Sequence, residues 1–159
     1  MNANQYLHRY GATREVLIPG FYDKVRPLDR EEQQLLAAVP FGDAEVRTLT
    51  GVPQVAGEAG FTTMERVSVR PTLDIHGMPG GFAQPGKKTV IPAKASAKVS
   101  MRLVPGQDPE RIADLFEAFV LERIPSDCSV EIIRYQNSPA IVIPVDDPAM
   151  KAGREAYHL

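Results

Sequence analysis

The sequence predicts an α+β fold, a mostly antiparallel sheet of about three to five strands with helices packed on one face. Two observations carry this. Residues 95 to 103 alternate strictly, with Ala95, Ala97, Val99, Met101 and Leu103 on one side and Ser96, Lys98, Ser100 and Arg102 on the other. A period of two sends successive side chains to opposite faces of a sheet, so one face is built for a core and the other for water or a ligand. Soon after, Asp108-Pro109 opens a run in which Ile112, Leu115, Phe116, Phe119, Val120 and Ile124 recur at helical spacing. That spacing makes one apolar stripe, the surface needed to cover the sheet.

Composition narrows the class. The chain has 159 residues, 43% hydrophobic and 24% charged, with a net charge of -2. This is enough for one domain with a real core and too little for two large ones. The charge balance supplies no general pull toward nucleic acid or an anionic membrane. No apolar run is long enough to span a bilayer, and Met1-Asn-Ala-Asn-Gln-Tyr lacks the basic and apolar regions of a signal peptide. A cytoplasmic protein is the expectation. The single cysteine, Cys128, lies where a strand is expected to begin and reads as a small buried hydrophobe rather than a nucleophile.

Along the chain, Asn2 to Tyr10 reads as a helix remnant or loose tail. Asp29 with Glu32 three residues on is a capping pair, and Leu35, Leu36 and Val39 supply an apolar side before Pro40, predicting a helix from Arg30 to Ala38. Asp43 is the expected cap of a second helix ended by Gly51 and Pro53. Glycines at 51, 57 and 60 mark loops or turns up to Thr63. Met64 to Ile75 then reads as a strand, with Val67 and Val69 opposite Ser68 and Arg70. Gly77-Met-Pro-Gly-Gly is a turn by composition, and the sheet is expected to resume at Thr89. After the Asp108-capped helix, Cys128 to Tyr135 and Ala140 to Pro144 read as further extended runs. Asp147-Pro148 opens a last helix so near the end that truncation is expected.

The chemistry-bearing residues are sparse. A two-metal hydrolase needs several His, Asp or Glu ligands and a carboxylate base. The three histidines, His8, His76 and His158, are scattered, and neither His-Glu-x-x-His nor Gly-x-Ser-x-Gly occurs. No catalytic and no metal-ligating residue is therefore expected in this chain. Arg102, on the polar side of its strand, offers a planar fork that holds a carboxylate in two parallel bonds. On spacing alone a surface cation beside Lys98 and acidic neighbours is the stronger reading of Arg102, and a satisfied turn histidine is favoured over a substrate contact for His76.

The stretch from Arg70 to Pro109 also resembles a known family. Its motifs are Arg70-Pro-Thr-Leu-Asp-Ile-His-Gly, Gly80-Gly81, Lys88-Thr-Val-Ile-Pro-Ala-Lys, and Met101-Arg-Leu-Val-Pro followed by Gln107-Asp-Pro. With the looser Ile18-Pro-Gly-Phe-Tyr-Asp, they resemble the lid, or dimerisation, domain of the carnosinase-like dizinc peptidases, relatives of aminoacylase and carboxypeptidase G. The resemblance implies a partial ferredoxin-like lid. Residues 1–63 would be its helical and looped insertion, residues 64–145 its sheet-and-helix core, and residues 146–159 the start of a helix leading to a catalytic domain.

The same resemblance implies substrate-binding roles for Arg102 and Thr89, and for His76 more weakly. The arginine would hold the carboxylate end of a dipeptide or N-acyl amino acid. It also implies a homodimer through the lid sheet and helix, and two zinc ions held by the complete parent enzyme. Two family features differ here. The Asp-Leu-His-Ser-Gly motif that serves a partner subunit's active site does not occur, and Gln136 stands where many relatives carry histidine. The chain then reads as a binding face without its metal centre and inactive alone. The alternative is a stand-alone, non-catalytic α+β module that binds a protein or a small ligand.

Overall fold

The computed structural model describes residues 14–144 and 146–157. The reading of Asn2 to Tyr10, together with His8 and His158, lies outside the described residues. In chain order the elements are α1 (Arg30–Ala38), α2 (Asp43–Thr50), α3 (Thr63–Ser68), β1 (Thr72–Gly77), β2 (Lys98–Arg102), α4 (Pro109–Arg123) and α5 (Pro148–Ala156). Helices and an antiparallel sheet coexist as expected.

Helix α1 starts at the capping pair. The Glu32 amide donates to Asp29 Oδ1 at 2.9 Å and the Asp29 amide to Glu32 Oε2 at 3.0 Å, which satisfies two otherwise free donors. Arg26 holds the same glutamate through Nη1 at 2.7 Å and pairs with its other oxygen through Nη2. The Arg26 hydrogen bond, then the Asp29 amide, lowers the Glu32 carboxyl to about 2. A carboxylate whose folded pKa is depressed stabilises the fold above its unfolded value and loses that contribution as pH falls through the folded one. Acid titration is expected to loosen α1 between the ordinary carboxylate range and about pH 2, and Glu32→Gln should flatten that part of the curve. Helical circular dichroism against pH measures this.

Helix α2 forms where expected but one residue off at its start. Gly42 is the N-cap, and its amide donates to Glu45 Oε2 at 2.7 Å. Asp43 is the first helical residue, and its carboxylate instead accepts from the Thr63 hydroxyl, tying α2 to α3.

The strand expected from Met64 to Ile75 is overturned in its first half. Thr62, Glu65 and the turn between them make a capping box: the Glu65 amide donates to Thr62 Oγ1 at 3.2 Å and the Thr62 amide to Glu65 Oε2 at 2.7 Å. Local capping outweighs the brief Val67/Val69 alternation, so residues 63–68 coil and extended chain begins only at Thr72.

Strands β1 and β2 pair antiparallel, with Thr72 opposite Arg102, Leu73 opposite Met101, Asp74 opposite Ser100, Ile75 opposite Val99 and Gly77 opposite Lys98. The register slips between Ile75 and Gly77, so His76 is the extra residue of a bulge. The described sheet has these two strands, short of the expected three to five. Neither Cys128 to Tyr135, nor Ala140 to Pro144, nor residues 89–97 enter a ladder, except that Ala95 bridges Gly80. Alternation makes a strand only where a second backbone supplies the complementary N–H and C=O groups.

Side chains fasten the first of these segments to α4 instead. Arg134 donates to Glu117 Oε1 at 2.6 Å, Asp114 Oδ1 at 2.8 Å and Glu110 Oε2 at 3.4 Å, while Asn137 donates to Glu110 Oε1 at 3.0 Å. The Arg134 hydrogen bond holds the Glu117 carboxyl below its ordinary value. Cys128, expected to be buried, is exposed for the same reason: no ladder draws this segment into the interior.

The core lies between the sheet and α4. Asp108 Oδ1 accepts from the Glu110 amide at 2.9 Å, and Pro109 occupies the first turn, where its missing donor costs nothing. From that start the stripe delivers Ile112 and Phe119 to the interior, with Leu115 and Phe116 beside them. Leu73, Ile75, Val99, Met101 and Leu103 supply the sheet side, and Ile18 and Phe21 complete the buried cluster. Gln107 closes the joint with two buried bonds, accepting from the Val104 amide at 2.9 Å and donating to the Phe21 carbonyl at 2.7 Å. Gly106, at φ +94°, permits the approach, since a Cβ there would lie 2.5 Å from the Lys24 carbonyl oxygen. Helix α5 begins as expected, with Asp147 accepting from the Ala149 amide at 2.8 Å.

Candidate functional site

With Leu73, Ile75, Val99 and Met101 turned to the core, the opposite face of the ladder carries Thr72, Asp74, Lys98, Ser100 and Arg102. Lys98, Ser100 and Arg102 are all exposed, which is the outward side expected from the alternation. Arg102 forms no ion pair and no side-chain hydrogen bond among the described residues, so its donors remain available. Thr72 faces it directly across the ladder, and the next rung holds Asp74, whose carboxylate accepts from Thr72 Oγ1 at 2.9 Å. Diagonal neighbours across a ladder lie about 7–8 Å apart, within reach of a long side chain. The face thus presents an unspent guanidinium beside a carboxylate already held by a hydroxyl.

His76 is exposed at the bulge, at the end of this face away from Arg102. Thr89 is exposed in the connection between the strands, and no hydrogen bond joins it to Arg102. The ladder therefore aligns Arg102 with Thr72 and Asp74, which the sequence reading did not single out. The alternation of Thr72, Asp74 and His76 with Leu73 and Ile75 was a signal for them, but their facing partners follow only from the register. Among the described residues no three His, Cys, Asp or Glu side chains are grouped so as to hold a metal ion. No helix among them is long and apolar enough to cross a membrane.

A second polar assembly lies before β1. Arg70 grips Glu58 through two bonds, Nε to Oε2 at 2.8 Å and Nη2 to Oε1 at 2.5 Å. Its guanidinium lies 4.1 Å from the Phe61 ring centroid and 5.0 Å from that of Tyr22. Both partners are largely buried, with 15% and 11% of their side chains exposed. Glu58, from the loop before α3, thereby fixes the entry into the strand that carries Thr72 and Asp74. Neither partner is adjacent to the other in sequence, and spacing alone gave no sign of the pair.

Among the described residues, a two-stranded antiparallel ladder with one face under a helix and the other bearing an exposed Arg102 defines an α+β module. The chain belongs to the peptidase dimerisation domain family, whose model matches residues 21–128. It is 36% identical over 101 residues to the Cys-Gly metallodipeptidase of Candida albicans, covering 64% of this chain and 21% of that protein. It is 39% identical over 94 residues to the human Beta-Ala-His dipeptidase, covering 57% of this chain and 18% of that protein. Among solved structures it is similar to an M20 family metallo-carboxypeptidase from Sulfolobus solfataricus, at 26% identity and a TM-score of 0.76, over 98% of this chain and 40% of that one. It is also similar to human carnosine dipeptidase 1, at 30% identity and a TM-score of 0.72, over 93% of this chain and 32% of that one. The chain thus spans about a fifth of the length of these curated relatives.

Proposed function

We propose that this chain is the substrate-gripping and subunit-pairing part of a zinc-dependent dipeptidase or amidohydrolase. The observation that carries the reading is the free Arg102 guanidinium on the exposed face of β2. A paired fork of charged hydrogen bonds there would hold the carboxylate end of a dipeptide or N-acyl amino acid, with Thr89 and His76 as further contacts. Two zinc ions and the catalytic carboxylate belong, in this reading, to a catalytic domain beyond these residues. A second copy would complete a homodimer through the sheet and α4, because a two-stranded ladder leaves open edges that invite pairing. The compartment that fits the single exposed thiol is the reducing cytoplasm.

The test joins this chain to its catalytic domain and measures dipeptide hydrolysis. Losing a charge-assisted carboxylate grip removes about 1.5–3 kcal/mol, so Arg102→Ala should raise KM, or lower kcat/KM, by about 10–150-fold. Kinetics equal to those of the unaltered enzyme would remove Arg102 from the site.

A further inference from the structure

A cavity of about 270 Å³ runs along β1 on the side of the Glu58–Arg70 pair and does not include Arg102. Arg14, Arg66 and Arg70 line it, together with Tyr22, Glu58 and Asp74. Three cations thus meet two carboxylates, and both carboxylates are already engaged: Glu58 by Arg70 and Asp74 by the Thr72 hydroxyl.

The donors, by contrast, are partly unspent. Arg66 donates from Nε to the Glu58 carbonyl at 2.8 Å, and its two terminal nitrogens have no acceptor among the described residues. Arg14 has none either. The Tyr22 oxygen accepts from the Val16 amide at 3.0 Å, which leaves its own proton to give. Burial raises the Tyr22 pKa, so that proton stays in place at neutral pH. Arg66 is also held in position. A Cβ on residue 57 would sit 2.6 Å from Arg66 Cδ, so the absence of a side chain at Gly57 is what lets the Arg66 stem lie where it does.

We propose that this cavity is a binding site for a small oxyanion, a phosphate or carboxylate group, held by the terminal nitrogens of Arg66, by Arg14 and by the Tyr22 hydroxyl. Paired N–H donors on a planar fork match the oxygen geometry of either group. Asp74, which also lines the cavity, disfavours ligands of higher negative charge. The cavity shares Thr72 and Asp74 with the face that carries Arg102 but does not include Arg102, and it stands whether or not Arg102 grips a substrate.

The test follows the Arg66 and Arg14 Nε–H resonances and the Tyr22 ring signals of the chain by NMR during titration at constant ionic strength. Inorganic phosphate and acetate are the two probes, with chloride as the reference. Saturable shifts of these groups with either probe are expected, and the stronger of the two identifies which kind of group the site takes. Arg66→Gln should weaken binding by about tenfold or more, and Arg66→Lys should restore part of it. If Arg66→Gln fails to fold, Arg14→Gln, altered at an exposed side chain, decides by the same loss. Shifts no larger than those with chloride, or binding that survives Arg14→Gln and Arg66→Gln, would overturn the proposal.

Discussion

Phe21→Ala is expected to cost about 3–5 kcal/mol, the range for emptying a buried phenylalanine site, and so to remove a large part of the stability of a domain this size. Phe21 is 1% exposed and joins Ile18, Leu73, Ile112 and Phe119 in the cluster between sheet and helix. Its ring meets that of Tyr22 edge-on, with centroids 5.1 Å apart, and its carbonyl accepts the buried Gln107 bond. A cavity at this point detaches the loop from both the sheet and the start of α4, so partial collapse around the gap cannot restore the contacts. Urea unfolding should show a much lower midpoint with an unchanged slope. A midpoint within experimental scatter of the unaltered chain would mean that the core is held elsewhere.

Arg70→Met is expected to destabilise by about 3 kcal/mol, since removing one partner leaves the other charge buried without compensation. Methionine keeps an apolar stem between Tyr22 and Phe61, so the loss reports the charge rather than the packing. For a chain of this length that is a fall in Tm of about 6–12 °C. The double variant Arg70→Met with Glu58→Leu should recover most of it, because replacing both members of a buried pair by apolar groups is often close to neutral. A double variant whose loss equals the sum of the two single losses would show instead that the two groups act independently.

These effects differ in how far they could be read from residues alone. Helix α4 was legible because every local signal agrees: the Asp108 cap, Pro109 in the first turn and a stripe at the right period. The outward position of Arg102 was legible too, since strict alternation over residues 95 to 103 fixes the side of every member. Where two local signals compete the reading failed. Val67 and Val69 alternate like a strand, yet the Thr62–Glu65 box at the start of the segment winds it into α3. The same signature was recognised at Asp29 and Glu32, so it was available here.

Extended runs such as Cys128 to Tyr135 mislead for a different reason. Alternation states which residues share a face, while a ladder also requires a partner backbone, and that is a property of the whole fold. The exposed Cys128 and the Arg134 fastening both follow from this. Contacts between distant positions were invisible for a related reason. Nothing local joins Glu58 to Arg70, Gln107 to Phe21, or Arg102 to Thr72; the first two meet through loop paths and the last through a register shaped by the bulge at His76. The motif run identified the family correctly, because ordered motifs preserve the outcome of such pairings without revealing their geometry.

The carboxylate grip is the centre of the functional reading, and one ratio tests it most directly. In the chain joined to the catalytic domain that the proposal assigns to it, kcat/KM is measured for a dipeptide and for the same dipeptide with its C-terminal carboxylate converted to an amide, before and after Arg102→Ala. A strong preference for the free acid that collapses toward one in the variant is the predicted result. An acid preference that persists undiminished without Arg102 would contradict it.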